Sequence, residues 1–325
     1  MSGVSLIIPA YNAEKTIAEC LAAVQNQDWD DEMEVILVND GSTDSTAEIA
    51  STFPQVQVLS IPNSGAPAAT NIGMKAARYD IVASVDSDAI LEKEWIKKIM
   101  PWFNDPNVAA VGGHAITANS HLIGKIAGYY SEMRRERSPM YIDDLGTVST
   151  AYRRHVLAEV GMFDEQMKIG YDVDISRRLK AAGYQLVLEK NATCRHFWKD
   201  DLKGYCRQQY GFAYYRLDLT RKFGKPHDHI ARPGMILQVP FTVLVVFAAV
   251  LGTLLSPIAL LALVLLPLIH ICDAARILLK KKDVAVALTL PFLFTLRNFV
   301  WIYAAMIWGV RRALGKGFLR SSKSS

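Results

Sequence analysis

Four short apolar runs near the start of the chain, each closed by a polar turn and followed by a helical pattern, leave few folds open. Residues 4–8 end at Pro9, a buried strand stopped by a residue that cannot donate to a ladder. Residues 34–38 run into Asn39-Asp40-Gly41-Ser42-Thr43-Asp44, a turn that also caps the next helix. Residues 56–61 and 81–85 supply two more strands, and helical patterns follow the four strands at about 14–27, 45–53, 67–78 and 92–103. Strands and helices alternating over short connections predict an α/β fold with a parallel, doubly wound sheet.

Ligands bind such sheets just beyond the carboxyl ends of the strands. Pro9, Tyr11 and Asn12 fall at one such end, Asp40 and Asp44 at a second, and Asp86, Ser87 and Asp88 at a third. Asp86 and Asp88 are one residue apart, so in extended chain their carboxylates point the same way. Paired hard oxygens suit Mg²⁺ or Mn²⁺, which in turn suits a diphosphate. Asp-Ser-Asp is also ordinary turn chemistry. The coincidence of three polar ends favours one shared site.

Beyond residue 108 the pattern mixes. Strands are expected at 108–116, 146–153 and 185–188, and helices at 120–137, 156–160 and 173–182, the last stopped by Gly183. Arg134, Arg135 and Arg137 read as a solvated basic face, the sharper alternative being contact with an anionic acceptor or lipid headgroup. The mean hydropathy of +0.14 is high for a soluble protein, and the excess lies beyond about residue 225. The chain therefore divides into a globular domain, 1–225, and a membrane-anchoring helical region, 226–325.

Apolar stretches cover 235–255, 257–272 and 284–310. The first two either span or form a hairpin that dips partway and turns at Ser256-Pro257. The third is interrupted by Pro291 and by Arg297-Asn298, and an arginine at mid-membrane is costly unless paired. The basic stretch 276–282 and the basic tail, Arg311, Arg312, Lys316, Arg320 and Lys323, both favour the cytoplasmic side. The third stretch is therefore re-entrant, a helical hairpin, or a crossing that overrides the charge rule, and an even number of crossings is favoured. The start of the chain lacks the charged segment and long apolar core of a signal peptide, which places the globular part in the cytoplasm at the inner cell membrane. The net charge of +4 comes without a basic stripe interleaved with aromatics, so nucleic acid is not an expected partner. Cys20, Cys194, Cys206 and Cys272 have no metal-ligand spacing and read as free thiols. Asn191-Ala192-Thr193 matches a glycosylation acceptor by chance in that compartment.

The string Val4-Ser5-Leu6-Ile7-Ile8-Pro9-Ala10-Tyr11-Asn12, followed by Val38-Asn39-Asp40-Gly41-Ser42-Thr43-Asp44-Ser45-Thr46, closely resembles the start of family 2 inverting glycosyltransferases. Asn63-Ser64-Gly65, Ala69-Thr70-Asn71-Ile72-Gly73 and Val85-Asp86-Ser87-Asp88 fit the next blocks in order. The match continues through Gly161-Met162-Phe163-Asp164-Glu165 and Tyr171-Asp172-Val173-Asp174-Ile175. The resemblance covers about residues 4–215 and implies a GT-A fold, a Rossmann-like mixed sheet, using a nucleotide-diphospho-sugar donor. It implies that Pro9 and Tyr11 line the nucleobase pocket and that Asp40 accepts a hydrogen bond from the base. Asn71, Asp86 and Ser87 belong to the ribose and diphosphate side. Asp88 binds the metal, Mg²⁺ or Mn²⁺, and His196 looks like the family's later histidine, which reaches the same ion.

Inverting transfer to a hydroxyl needs a base, and Asp172 aligns with the second acid of the family's Glu-Asp pair. The first acid is replaced by Tyr171. Asp174 is expected to serve the helix start. The Arg-Trp pair of processive synthases is missing near Arg207-Gln208-Gln209-Tyr210, which argues for transfer of a single sugar. Gln208 and Tyr210 are acceptor-side candidates. The expected function is a membrane-anchored transferase moving one sugar, UDP-linked donors being favoured, to a hydroxyl of a lipid-linked glycan or lipid. The alternatives are a polyprenyl-phosphate glycosyltransferase, whose anionic acceptor needs no base, and a non-catalytic scaffold, for which clustered carboxylates have no physical use.

Overall fold

The computed structural model describes residues 3–224 and 233–315. Lys316, Arg320 and Lys323 of the basic tail lie outside them. In chain order the elements are β1 (Val4–Ala10), α1 (Ile17–Gln25), β2 (Met33–Asp40), α2 (Thr46–Ser51), β3 (Val56–Ile61), α3 (Ala66–Ala76), β4 (Ile81–Val85), β5 (Ala89–Leu91) and α4 (Trp95–Ile99). Then come β6 (Val108–Thr117), α5 (Leu122–Glu136), β7 (Ser149–Arg153), α6 (Arg154–Glu159), α7 (Tyr171–Ala181), β8 (Gln185–His196) and α8 (Leu202–Phe223). The remaining helices are α9 (Pro233–Gly252), α10 (Leu265–Leu268), α11 (Ile271–Lys281) and α12 (Val284–Ala313).

These elements form two compact units that interleave along the chain. One takes Met1–Ala118 and Arg135–Phe197, and the other takes Asn119–Arg134 and Trp198–Gly317. The first is built on an eight-stranded sheet in the order β3-β2-β1-β4-β7-β6-β8-β5. β3, β2, β1 and β4 are mutually parallel, whereas β7 enters antiparallel between β4 and β6. The sheet is therefore mixed, with the parallel half that the opening alternation predicts. Both faces of that half are covered. Leu6, Ile8, Val35 and Leu37 point into one core, while Ile7, Ile36 and Val38 point into the other, as the two-residue period requires. Each such side chain contributes about 1.5–3 kcal/mol on burial, so a charge at Leu6 or Ile7 would break the sheet. Gly73 lets α3 lie close on this core, because a Cβ there would stand 2.3 Å from Ile7 Cγ2.

β8 and α4 differ from the sequence reading. The strand expected at 185–188 continues to His196: its pairing with β6 stops at Leu188 opposite Gly112, residues 189–192 bulge out, and the ladder resumes at Thr193 opposite His114. The helix expected at 92–103 is the shorter α4 followed by a 3₁₀ segment, Met100–Asn104, where Pro101 lacks the amide that an α-helix would use.

The second unit is helical. Ile126 and Met133 of α5, Tyr205 of α8, Ile277 of α11 and Leu290 and Phe294 of α12 share one buried cluster. Lys125 pairs with Asp283 at 3.3 Å and Lys281 with the buried Glu132, fixing α5 to the turn between α11 and α12. Asp283 caps α12 through the amide of Val286 at 3.1 Å. The third apolar stretch is one uninterrupted helix with Pro291 inside it, not a helical hairpin. Pro257–Lys281 and Val284–Ala313 are long and apolar enough to cross a membrane, and the apolar part of α9, Leu237–Gly252, is shorter.

Candidate functional site

The order β3-β2-β1-β4 reverses direction between β1 and β4, and ligand crevices of such sheets open at that switch point. Tyr11 follows β1 there and is 52% exposed, with Pro9 half-buried two residues before it. Beyond β4, the Asp86 amide bonds to the Val148 carbonyl at 3.0 Å and its own carbonyl accepts from Ala89 at 2.9 Å. That tight turn carries Asp86, Ser87 and Asp88, all half-buried, and leads directly into β5.

β5 is what brings the histidine. It pairs antiparallel with the end of β8, Ala89 opposite His196, so the ring arrives beside the acidic turn. His196 Nε2 lies 3.2 Å from Asp88 Oδ1, and ligand atoms of Asp86, Asp88 and His196 all fall within 4.8 Å of one another. Small divalent cations bind hard ligands at about 2.0–2.2 Å, so two ligands on opposite sides stand about 4 Å apart. The three side chains therefore fit a Mg²⁺- or Mn²⁺-sized ion in both span and chemistry.

Asp172 lies in the first turn of α7, which starts after Gly170 at φ +81°. Its Oδ1 accepts from the Val173 amide at 2.9 Å. The Tyr171 hydroxyl bonds with Thr147, and its pKa is pushed up first by burial and then by the charges of Asp86 and Asp172. Tyr171 thus marks one electrostatic neighbourhood shared by the base candidate and the acidic turn. Two buried thiols line the same region. Burial pushes Cys194 up to about 12, and Cys20 is raised by burial together with the charges of Asp88 and Asp86. Neither is a nucleophile at neutral pH.

Other candidates hold loops. Asp40 is 3% exposed, and its oxygens accept from the amides of Ser64 at 2.6 Å and Gly65 at 2.9 Å. Asn71 is 2% exposed, donates to Phe163 O and Glu165 Oε1 at 2.9 Å each, and accepts from the Phe163 amide at 3.0 Å. Its amide group is engaged in locking the 163–165 segment onto α3. Asp174 is a buried partner of Arg178 at 2.7 Å. Gln208 and Tyr210 are on α8 in the helical unit, Tyr210 stacking near Tyr214 and Tyr303.

Arg135 was assigned to a solvated face but is half-buried, and it lines the same side of Gly146 as Asp172. A Cβ at Gly146 would meet Arg135 Nη2 at 3.7 Å and Asp172 Oδ2 at 3.9 Å. Only the placement of the loop before β7 reveals it, since Arg134-Arg135-Glu136-Arg137 at the end of α5 carries no such signal.

The family model for glycosyl transferase family 2 matches residues 5–161, the segment that contains the switch point and the acidic turn. Residues 5–161 are a glycosyl transferase family 2 domain. A poly-β-1,6-N-acetyl-D-glucosamine synthase of Staphylococcus epidermidis is 28% identical to this chain over 225 residues, covering 66% of the chain and 54% of that relative. The chain thus spans about half the length of the curated relatives it matches. A mannosyltransferase from Pyrobaculum calidifontis, solved with GDP-Man and Mn²⁺, superposes with a TM-score of 0.60 at 20% identity, over 97% of this chain and 88% of that one. Residues 1–349 of TarS from S. aureus superpose with a TM-score of 0.50 at 20% identity, over 90% and 91% of the two chains. At these identities the solved structures establish a shared fold for the family 2 domain and its surroundings.

Proposed function

We propose that this chain is a membrane-anchored inverting glycosyltransferase that moves one sugar from a nucleotide-diphospho-sugar, UDP-linked donors being favoured, to a hydroxyl of a lipid-linked glycan or lipid. The observation that carries this reading is the convergence of Asp86, Asp88 and His196 beyond β4, with Asp172 in the same neighbourhood. The polysaccharide synthase likeness supports a sugar-hydroxyl acceptor, and the neighbour solved with GDP-Man and Mn²⁺ is consistent with a nucleotide-sugar donor and a divalent ion.

Asp86, Asp88 and His196 would hold the ion. Bound there, a divalent cation neutralises charge on a departing diphosphate. The chain's own groups do the rest. Tyr11, exposed beside the switch point, offers a surface for the nucleobase. The amide clamp of Asp40 sets the loop 63–65, and Asn71 sets the segment 163–165, so both rims are fixed before a donor arrives. Asp172 takes the acceptor hydroxyl's proton as the new bond forms, and the neutral Tyr171 beside it adds no repelling charge. The helical unit would hold the chain at the inner membrane with the catalytic unit in the cytoplasm.

Replacing Asp172 with Asn tests the assignment. Turnover should fall by about 10²–10⁴-fold, the range for loss of a positioned base, while Mn²⁺ and nucleotide-sugar binding by calorimetry stay unchanged. Undiminished turnover would remove Asp172 from the base role.

A further inference from the structure

Hydropathy and length admit α12 as a membrane-crossing helix, but its neighbours describe another placement. Its exposed side chains fall in a single stripe: Leu288, Phe292, Phe299, Tyr303, Met306 and Val310 recur at helical spacing along one face. The opposite face, including Leu290, Phe294, Arg297 and Asn298, is buried in the helical unit. That face meets α9 at its middle, through Gln238 and Thr242, and polar-bearing helix toward its two ends. Asp283 meets Lys125 of α5, Trp301 Nε1 donates to Gln209 of α8 at 3.2 Å, and Trp308 Nε1 donates to Asp218 of α8 at 2.8 Å, where Arg312 also pairs. Rising partner numbers on both sides show that α8 runs beside α12 in the same direction.

A crossing α12 would therefore carry α8 into the hydrocarbon, and α8 exposes Lys203, Arg207, Arg221 and Lys222. Charged side chains facing lipid at that depth are costly. The two ends of α12 agree: Lys282 precedes it and Arg311 closes it, each beside a basic residue already held by the protein (Lys281 by Glu132, Arg312 by Asp218), so both ends suit the same anionic surface. Its 30 residues extend about 45 Å, half again the hydrocarbon thickness of about 30 Å. Trp301, Tyr303 and Trp308 lie along its second half, side chains that favour the headgroup boundary. Arg297 stacks on Phe294 and Trp301 and donates to Gln238 at 3.0 Å on the protein side of the helix.

We propose that α12 lies in the plane of the membrane interface, its apolar stripe in one leaflet and α5 and α8 on its other side, so that both its ends stay on the same face of the bilayer. This placement rests on the membrane reading of the helical unit given above. The partner it fits is a lipid surface bearing anionic headgroups, and the far end of α9, from Phe247, with the segment after Pro257 is the part that enters the bilayer.

Depth measurement on the full chain in phosphatidylcholine–phosphatidylglycerol nanodiscs decides it. Cys206 and Cys272 are replaced by Ser, the buried Cys20 and Cys194 are kept, and single reporters are placed by Leu288→Cys, Phe299→Cys, Met306→Cys and Val310→Cys. Phe247→Cys, exposed midway along α9, is the reference. The ratio of quenching by headgroup-labelled to acyl-end-labelled lipid should agree within about twofold across all four α12 sites and exceed that at Phe247 severalfold. A ratio that falls to the Phe247 value at Phe299 and recovers at Val310 overturns the in-plane placement alone. Absence of quenching at every site, Phe247 included, overturns the membrane reading and the placement with it.

Discussion

Asp40 and the Asp86/Asp88 pair occupy equivalent places, each at the carboxyl end of a parallel strand in the same sheet, yet they are used differently. After β2 the chain leaves through a turn and returns as Asn63-Ser64-Gly65, whose amides close on both oxygens of Asp40. After β4 the chain turns at once into β5, and Asp88 meets an imidazole from the far end of β8. A carboxylate supplied with backbone amides becomes a scaffold. One that meets another ligand-bearing side chain in a half-buried turn has the geometry a cation site needs.

Substitutions should separate the two uses. Asp88→Asn should weaken Mn²⁺ binding by at least about 100-fold by calorimetry, more than loss of an outer partner does, and abolish turnover. The thermal midpoint of the metal-free protein should stay within a few degrees of the parent. Asp40→Ala should do the reverse, costing about 3 kcal/mol in denaturant unfolding because two amides are stranded, with Mn²⁺ affinity unaltered. If Asp40→Ala instead spared stability and removed Mn²⁺ binding, the division between the two strand ends would be wrong. His196→Ala should weaken the cation by about 10–100-fold, leaving the two carboxylates to hold it alone.

The smallest effect concerns Asp283, a milder amide-bound carboxylate. The Val286 amide, and next the Lys125 ammonium, hold its pKa below the usual carboxylate value. A depressed folded-state pKa gives stability that is present above the unfolded value and lost as pH falls through the folded one. The pair is largely solvent-screened, so the loss should be below about 1 kcal/mol. Amide exchange at the first turn of α12 should quicken below about pH 4, the ordinary range of an unperturbed aspartate, and Asp283→Asn should flatten that dependence.

The parallel half of the sheet was legible because each of its strands is a local apolar run ending in a recognisable turn. The acidic turn was legible for the same reason. The three residues of β5 were not, since Ala89–Leu91 directly follows Asp88 and has no length of its own to register as a strand. The extension of β8 was hidden by Glu189-Lys190-Asn191, a polar bulge after which pairing with β6 resumes at Thr193, decided by tertiary register rather than by local pattern. The hydrogen-bond partners of Asp40 and Asn71 come from segments that no local pattern connects to them. The continuity of α12 through Pro291 was equally invisible, because the packing of its buried face outweighs the lost helical hydrogen bond.

The pairing of β5 with β8 also sets an order of events during synthesis. The acidic turn emerges early, but its imidazole belongs to the last strand of the catalytic unit and pairs at the sheet's edge. A nascent chain therefore carries two carboxylates without the third ligand until nearly the whole unit has left the ribosome. An ion captured afterwards would tie the end of β8, next to the sheet's edge, to the turn after β4 in its middle and resist fraying there, since binding to the folded state alone stabilises it. Cation affinity then doubles as a gauge of how completely the domain has closed.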